Sequence, residues 1–150
     1  MKIVIALAAM SLLQAQTAKK VVFVCEHGAA KSVIAATEFQ RMAKEKGLNV
    51  DVVFRGTSPD AEIAPGVRAG LRADGLDAGS GNPVKVTKQD LAGAVKVISF
   101  GPDLSALLPE GAKVLDWSAT PAPGKDYRAA RDHIRQQLRS LLDELSTKER

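Results

Sequence analysis

The sequence predicts an α/β sandwich built on a parallel sheet, and two observations predict it. Four apolar runs with strand character recur along the chain: Val21–Cys25, Val50–Phe54, Val95–Phe100 and Ala112–Trp117. Helical stretches lie between them, and strands alternating with helices imply parallel βαβ units. No internal repeat points to another architecture. The 150 residues, 45% hydrophobic and 25% charged, suffice for one domain with its own core.

The helices carry their own signals. Ser32–Lys46 places Ala35, Phe39, Met42 and Ala43 on one face and stops at Gly47, where a C′ residue belongs. Pro65–Asp74 opens on a proline suited to a first turn and ends at Gly75. Thr87–Ala94 begins with Thr87 and Asp90 at capping-box spacing. Tyr127–Leu145 carries the clearest stripe: Ala130, Ile134, Leu138, Leu141 and Leu145.

The first fifteen residues stand apart. Lys2 precedes the apolar stretch Ile3–Leu13, and small and polar residues follow from Gln14. This is the pattern of a signal peptide cleaved near Ala15, which leaves residues 16–150 as the functional domain and places it in the periplasm or outside the cell. The alternative is a further buried strand or helix of the domain. The stretch is short for a membrane span, which needs about 20 apolar residues, so no membrane association is expected after cleavage. In an oxidising compartment the single cysteine, Cys25, has no internal disulfide partner. It must be buried, paired between molecules, or functional.

The formal net charge of +4 is dispersed along the chain, and aromatic residues are only 4%. That composition gives mild attraction for anions and argues against a base-stacking nucleic-acid surface.

Cys25 ends a strand-like run, and Gly28-Ala29-Ala30 then leads into a helix opened by Lys31-Ser32. A thiol under a helix N-terminus sits where backbone N–H groups and the helix dipole favour a thiolate or a bound anion. A nucleotide-binding loop would need glycines where Cys25 and Ala30 stand. A metal site drawing on Cys25, Glu26 and His27 has no second cluster elsewhere, and His133 has no evident partner. A buried structural thiol explains Cys25 but not the loop beside it. An oxyanion cradle explains both: small residues let successive N–H groups converge, Ser32 can donate to the thiolate, and Lys31 adds positive charge. In open α/β sheets ligands bind beyond the strands' carboxyl ends, and the loops 25–31, 55–64 and 117–126 can share that rim.

Val22-Phe23-Val24-Cys25, followed by five residues, the basic Lys31 and then Ser32, resembles the active-site loop of the low-molecular-weight protein tyrosine phosphatases and the related arsenate reductases. The resemblance continues through Arg55-Gly56-Thr57-Ser58-Pro59, Val67–Asp77 and Trp117–Asp132, and covers nearly all of residues 20–146. It implies a three-layer, flavodoxin-like doubly wound fold with a four-stranded parallel sheet in the order 2-1-3-4. It also implies that Cys25 is the nucleophile, forming a phosphocysteine or a thiol–arsenate intermediate. The backbone of Glu26, His27, Gly28, Ala29, Ala30 and Lys31 would hold the anion, Ser32 would stabilise the thiolate, and Trp117, Thr120 and Tyr127 would belong to the lid. Neither a cofactor nor a metal is implied. The ligand would be a phosphate or arsenate-like oxyanion, carried by a phosphoprotein or a small phosphate ester.

Three departures from the family pattern bear on function. Lys31 stands where the family has arginine, and an ammonium is a point charge without the planar fork that grips two oxygens. Thr120-Pro121 stands where the lid has Asp-Pro, so Asp116 and Asp126 become the candidate acids; their structural alternatives are a strand-end residue and a helix N-cap. No further cysteine is present to resolve a thiol–arsenate intermediate, so arsenate reduction would need an external small thiol. Three functions follow as expectations: a weak or specialised cysteine-dependent phosphatase of the phosphotyrosine type, a single-cysteine arsenate reductase, or an impaired oxyanion-binding pseudophosphatase.

Overall fold

A computed structural model describes residues 17–148; the expected signal peptide, residues 1–15, lies outside the described residues. Four parallel strands form one sheet in the order β2-β1-β3-β4: β1 (Lys19–Cys25), β2 (Val50–Gly56), β3 (Ala94–Ser99) and β4 (Leu115–Asp116). The helices are α1 (Lys31–Glu45), α2 (Pro65–Ala73), α3 (Lys88–Ala92) and α4 (Tyr127–Thr147). The strand order and the alternation of strands and helices match the doubly wound arrangement that the resemblance implies.

The alternation of side chains along β1 builds the layers. Val21, Phe23 and Cys25 point into a core shared with α1, α2 and α4, where Phe39, Leu71, Ile134 and Leu138 are fully buried. Val22 and Val24 point to the opposite face, against Leu91 of α3, Leu104 and the turns that precede β4. Because both faces of β1 are covered, its run of valines is continuous instead of alternating with polar residues. α1 ends as expected: Leu48 N–H donates to Ala43 and Gly47 N–H to Lys44, the two bonds of a Schellman motif. Thr87 and Asp90 form the expected capping box at α3, although that helix stops at Ala92.

The last strand is also shorter than the sequence predicts. The run Ala112–Trp117 reads as a strand, but only Leu115 and Asp116 pair, with Ile98 and Ser99. A turn at residues 110 and 111, closed by Ala112 N–H donating to Pro109, leads into irregular chain over 112–114, so apolar composition at a sheet edge does not become a full strand.

The topology positions Cys25. It is the last residue of β1, the strand from which the chain crosses through α1 to β2 on one side and later reaches β3 on the other. Such a switch point opens a crevice above the strand ends.

Candidate active site

The segment Glu26–Ala30 turns sharply from β1 into α1, and a neighbouring segment holds it in shape. Thr57, Ser58, Asp60 and Ala64 donate their backbone N–H groups to the carbonyls of Cys25, Glu26, His27 and Ala29, at 2.8–3.2 Å. In a trans peptide the N–H points opposite the carbonyl. The N–H groups of Glu26, His27, Gly28 and Ala30 therefore face away from residues 57–64, toward the hollow of the loop. Among the described residues none of these four donates to a protein acceptor. Gly28, at φ +60°, lies directly on Gly56, and only glycine fits at either position.

Cys25 is buried, and its Sγ lies 3.0 Å from Ser32 Oγ in the first turn of α1. With the thiol ionised the hydroxyl is the donor, and the helix N-terminus adds its positive end. Above Cys25 opens a cavity of about 200 Å³ lined by Cys25, Glu26, His27, Ala30, Lys31, Phe100 and Pro123. That is below the roughly 300–1,000 Å³ usual for drug-sized ligands and suits an oxyanion with the stem of its leaving group. Lys31 is in no ion pair among the described residues, so its ammonium charge is uncommitted. Among the described residues no group of three or more His, Cys, Asp or Glu side chains is arranged to hold a metal.

Of the apolar walls, Pro123 belongs to the 117–126 loop expected at the rim, whereas Phe100 is not among the residues expected at the site. Phe100 follows β3 directly, and its N–H donates to Val24 beside Cys25; the rule that ligands sit at strand ends could have identified it. Trp117 backs this wall from the core, edge-to-face with Phe100 at 5.9 Å and tilted against Phe23 at 6.1 Å. The other residues expected in the lid, Thr120 and Tyr127, turn inward. Thr120 is buried, and its hydroxyl donates to the Trp117 carbonyl. Tyr127 donates to Asp74 of the segment after α2 at 3.1 Å, and its ring lies over Gly70. Burial, followed by the Asp74 charge, pushes the phenol of Tyr127 well up.

Neither candidate acid is brought to Cys25. The Asp116 carboxylate accepts from Ser118 N–H at 2.9 Å and lines a different hollow, with Ser99, Pro102 and Ser118. Hydrogen bonds from Ser118 hold it below the ordinary carboxylate range, the wrong direction for a proton donor at neutral pH. Asp126 is the N-cap of α4, accepting from Ala129 N–H at 3.0 Å, and lines a hollow with Tyr127 and Arg131. The structural alternatives therefore describe both residues. His27 lies instead at the mouth of the Cys25 cavity, its Nδ1 3.3 Å from Asp60 Oδ1 and its Nε2 3.7 Å from Glu26 Oε2.

Comparison with known proteins bears on the fold and the family. A search of curated proteins finds no match. Among solved structures, YfkJ from Bacillus subtilis superimposes with a TM-score of 0.75 at 18% identity, covering 91% of this chain and 99% of its own. The thioredoxin-dependent arsenate reductase Cg_ArsC1′ of Corynebacterium glutamicum has a TM-score of 0.75 at 25% identity; 89% of this chain is covered, but only 65% of the reductase. A protein tyrosine phosphatase from Entamoeba histolytica, with Hepes in its active site, has a TM-score of 0.74 at 16% identity, covering 89% and 100%. Residues 20–150 match the family described as low molecular weight phosphotyrosine protein phosphatase, and the chain belongs to that family.

Proposed function

We propose that the protein hydrolyses phosphate monoesters of the phosphotyrosine type through a cysteinyl-phosphate intermediate. The observation that carries this reading is Cys25 Sγ at 3.0 Å from Ser32 Oγ, beneath a loop whose N–H groups face the hollow. A pure binding loop has no need of a nucleophile held beside a donor. The Cys25 thiolate attacks phosphorus, the phosphoryl oxygens are held by the loop N–H groups and Lys31, and the S–P bond is then broken by water. Phe100 and Pro123 offer apolar walls to an aryl leaving group. Lysine in place of a planar guanidinium makes orientation of the equatorial oxygens weaker, so turnover is modest.

A second reading, arsenate reduction, is favoured by the 25% identity to the Corynebacterium reductase. With one cysteine in the chain, that chemistry needs an external small thiol to attack the thiol–arsenate adduct. We also propose export, with residues 1–15 as the signal.

The test assays 4-nitrophenyl phosphate and arsenate-plus-glutathione in parallel for wild type, Cys25→Ser and Lys31→Arg. Ester turnover abolished in Cys25→Ser supports the phosphatase. Arsenite formation without ester turnover selects the reductase. Equal activity in wild type and Cys25→Ser overturns both, and phosphate binding without turnover identifies an oxyanion-binding protein.

A further inference from the structure

We infer that His27 donates the proton to the leaving oxygen, the task for which neither Asp116 nor Asp126 is placed. The inference rests on the phosphatase reading above. In an in-line displacement the leaving oxygen lies opposite the attacking sulfur. With Cys25 at the floor of the cavity, that oxygen points toward the mouth, and His27 is part of the mouth.

Two contacts hold the ring there. Asp60 N–H donates to the His27 carbonyl at 3.0 Å, so the two residues are joined through the backbone. The Asp60 carboxylate then lies 3.3 Å from Nδ1, which orients the imidazole and leaves Nε2 as the working nitrogen. Nε2 lies 3.7 Å from Glu26 Oε2, an ion-pair distance for the charged ring but too long for a hydrogen bond, so the Nε2 proton makes no hydrogen bond within the loop. The charged groups facing the ring are Glu26 on its own loop, Asp60 on the 57–64 segment, and Cys25 and Lys31 across the cavity. The 117–126 segment contributes only Pro123 to that cavity. Glu26 is the other acid at the mouth, but it is 70% exposed. Imidazole is the side chain that changes charge between pH 5 and 8.

The steps balance. The Cys25 thiolate forms the S–P bond as the P–O bond breaks, and the Nε2 proton passes to the leaving oxygen, giving a neutral alcohol and neutral imidazole. His27 then takes a proton from the water that attacks phosphorus. The S–P bond breaks, returning the thiolate, the imidazolium and inorganic phosphate.

The experiment measures kcat/KM, which reports the first step, for a series of aryl phosphates from 4-nitrophenyl to phenyl. The proteins compared are wild type, His27→Gln, Asp60→Asn, Glu26→Gln and Cys25→Ser. Expected is a loss in His27→Gln that grows with the basicity of the phenol, reaching about 10²–10³-fold on phenyl phosphate and at least about tenfold less on the nitrophenyl ester. Asp60→Asn shows the same leaving-group trend at smaller amplitude. An even loss across the series, or the leaving-group trend in Glu26→Gln and not His27→Gln, overturns the inference and leaves the phosphatase reading standing. No wild-type turnover of 4-nitrophenyl phosphate above Cys25→Ser overturns the phosphatase reading, and this inference falls with it.

Discussion

Gly28 and Gly56 meet backbone to backbone. A Cβ on Gly56 would stand 2.7 Å from Gly28 N, and one on Gly28 would stand 2.9 Å from Gly56 N. Since Cys25 pairs with Gly56 in the sheet, this contact seats the anion loop on the end of β2. Neither neighbour is the tip of a flexible side chain, so neither can move aside cheaply. Gly56→Ala is expected to cost about 1–3 kcal/mol of stability, as overpacking does, and to lower turnover at least tenfold by displacing the loop N–H groups. Gly66→Ala in α2, where an added Cβ meets nothing within 4 Å, is the control. It is expected to stabilise by up to about 1 kcal/mol. Urea unfolding reads both.

The hydrogen bond between Cys25 and Ser32 makes a separate prediction. A hydrogen bond to a charged group contributes about 1.5–3 kcal/mol. Ser32→Ala is therefore expected to reduce kcat/KM about ten- to a hundredfold and to slow alkylation of Cys25 by iodoacetamide at neutral pH. Ser32 and Cys25 are both buried, so unchanged circular dichroism must accompany the loss. Unchanged alkylation would show that the hydroxyl does not act on the thiolate.

Lys31 tests the consequence of a point charge in place of a fork. Lys31→Arg is expected to raise kcat/KM for 4-nitrophenyl phosphate about tenfold, because a guanidinium can bond two equatorial oxygens at once. Lys31→Met, which keeps the stem and removes the charge, is expected to weaken competitive inhibition by inorganic phosphate. A fall with arginine would mean that the loop is shaped for the ammonium.

The order of strands and helices was legible because it depends on local periodicity: valines in β1, the stripe along α4, the capping box at Thr87. Cys25 was legible because its neighbours in sequence, Gly28 to Ser32, are also its neighbours in space. The acid was not. Asp116 and Asp126 are suggested by their proximity in sequence to the lid, yet local bonds to Ser118 and Ala129 N–H occupy them. His27 reaches Asp60 across 33 positions of chain, and only the pairing of residues 57–64 with the loop brings them together. Phe100 reads as the end of a core strand because half of its role, packing on Trp117, is that.

Arg55 and Asp90 carry a pH prediction. Arg55 sits one residue before Gly56 and donates Nε and Nη2 to the Asp90 carboxylate at 3.0 and 3.2 Å, tying the end of β2 to α3. Burial pushes the Asp90 carboxyl up, but the Arg55 and Thr87 hydrogen bonds more than offset it, and the net position is below the ordinary value. A depressed folded-state value means that the unfolded chain takes up the proton first as pH falls. The stabilisation is complete above the unfolded value, about 3.9, and is lost as pH drops through the lower folded value. The stability difference between wild type and Asp90→Asn should be constant from about pH 6 to 8 and shrink below about pH 4. A difference that does not shrink at all on acidification would place its origin in the cap and not in the charge.

Glu38 is a fully buried carboxylate on α1, and α4 supplies its partner. Its Oε1 lies 2.7 Å from Arg135 Nη2 and accepts from Nε at 2.9 Å, while Oε2 accepts from Arg41 at 2.9 Å. Arg135 also stands 3.8 Å from Asp74, which accepts from Arg131 and from Tyr127. The pairs thus join α1, the end of α2 and the start of α4, where the 117–126 segment terminates. Breaking a buried pair by removing one partner leaves a charge without compensation and costs about 3–5 kcal/mol. Glu38→Ala is expected to approach that figure at the lower end, because both arginines retain partial access to water. Replacing both partners with apolar residues, in Glu38→Leu with Arg135→Met, should cost distinctly less than the single change, since no charge is then left unpaired on α4. Urea unfolding at constant m-value measures both. A double variant as unstable as the single one would mean that the carboxylate matters through Arg41 alone.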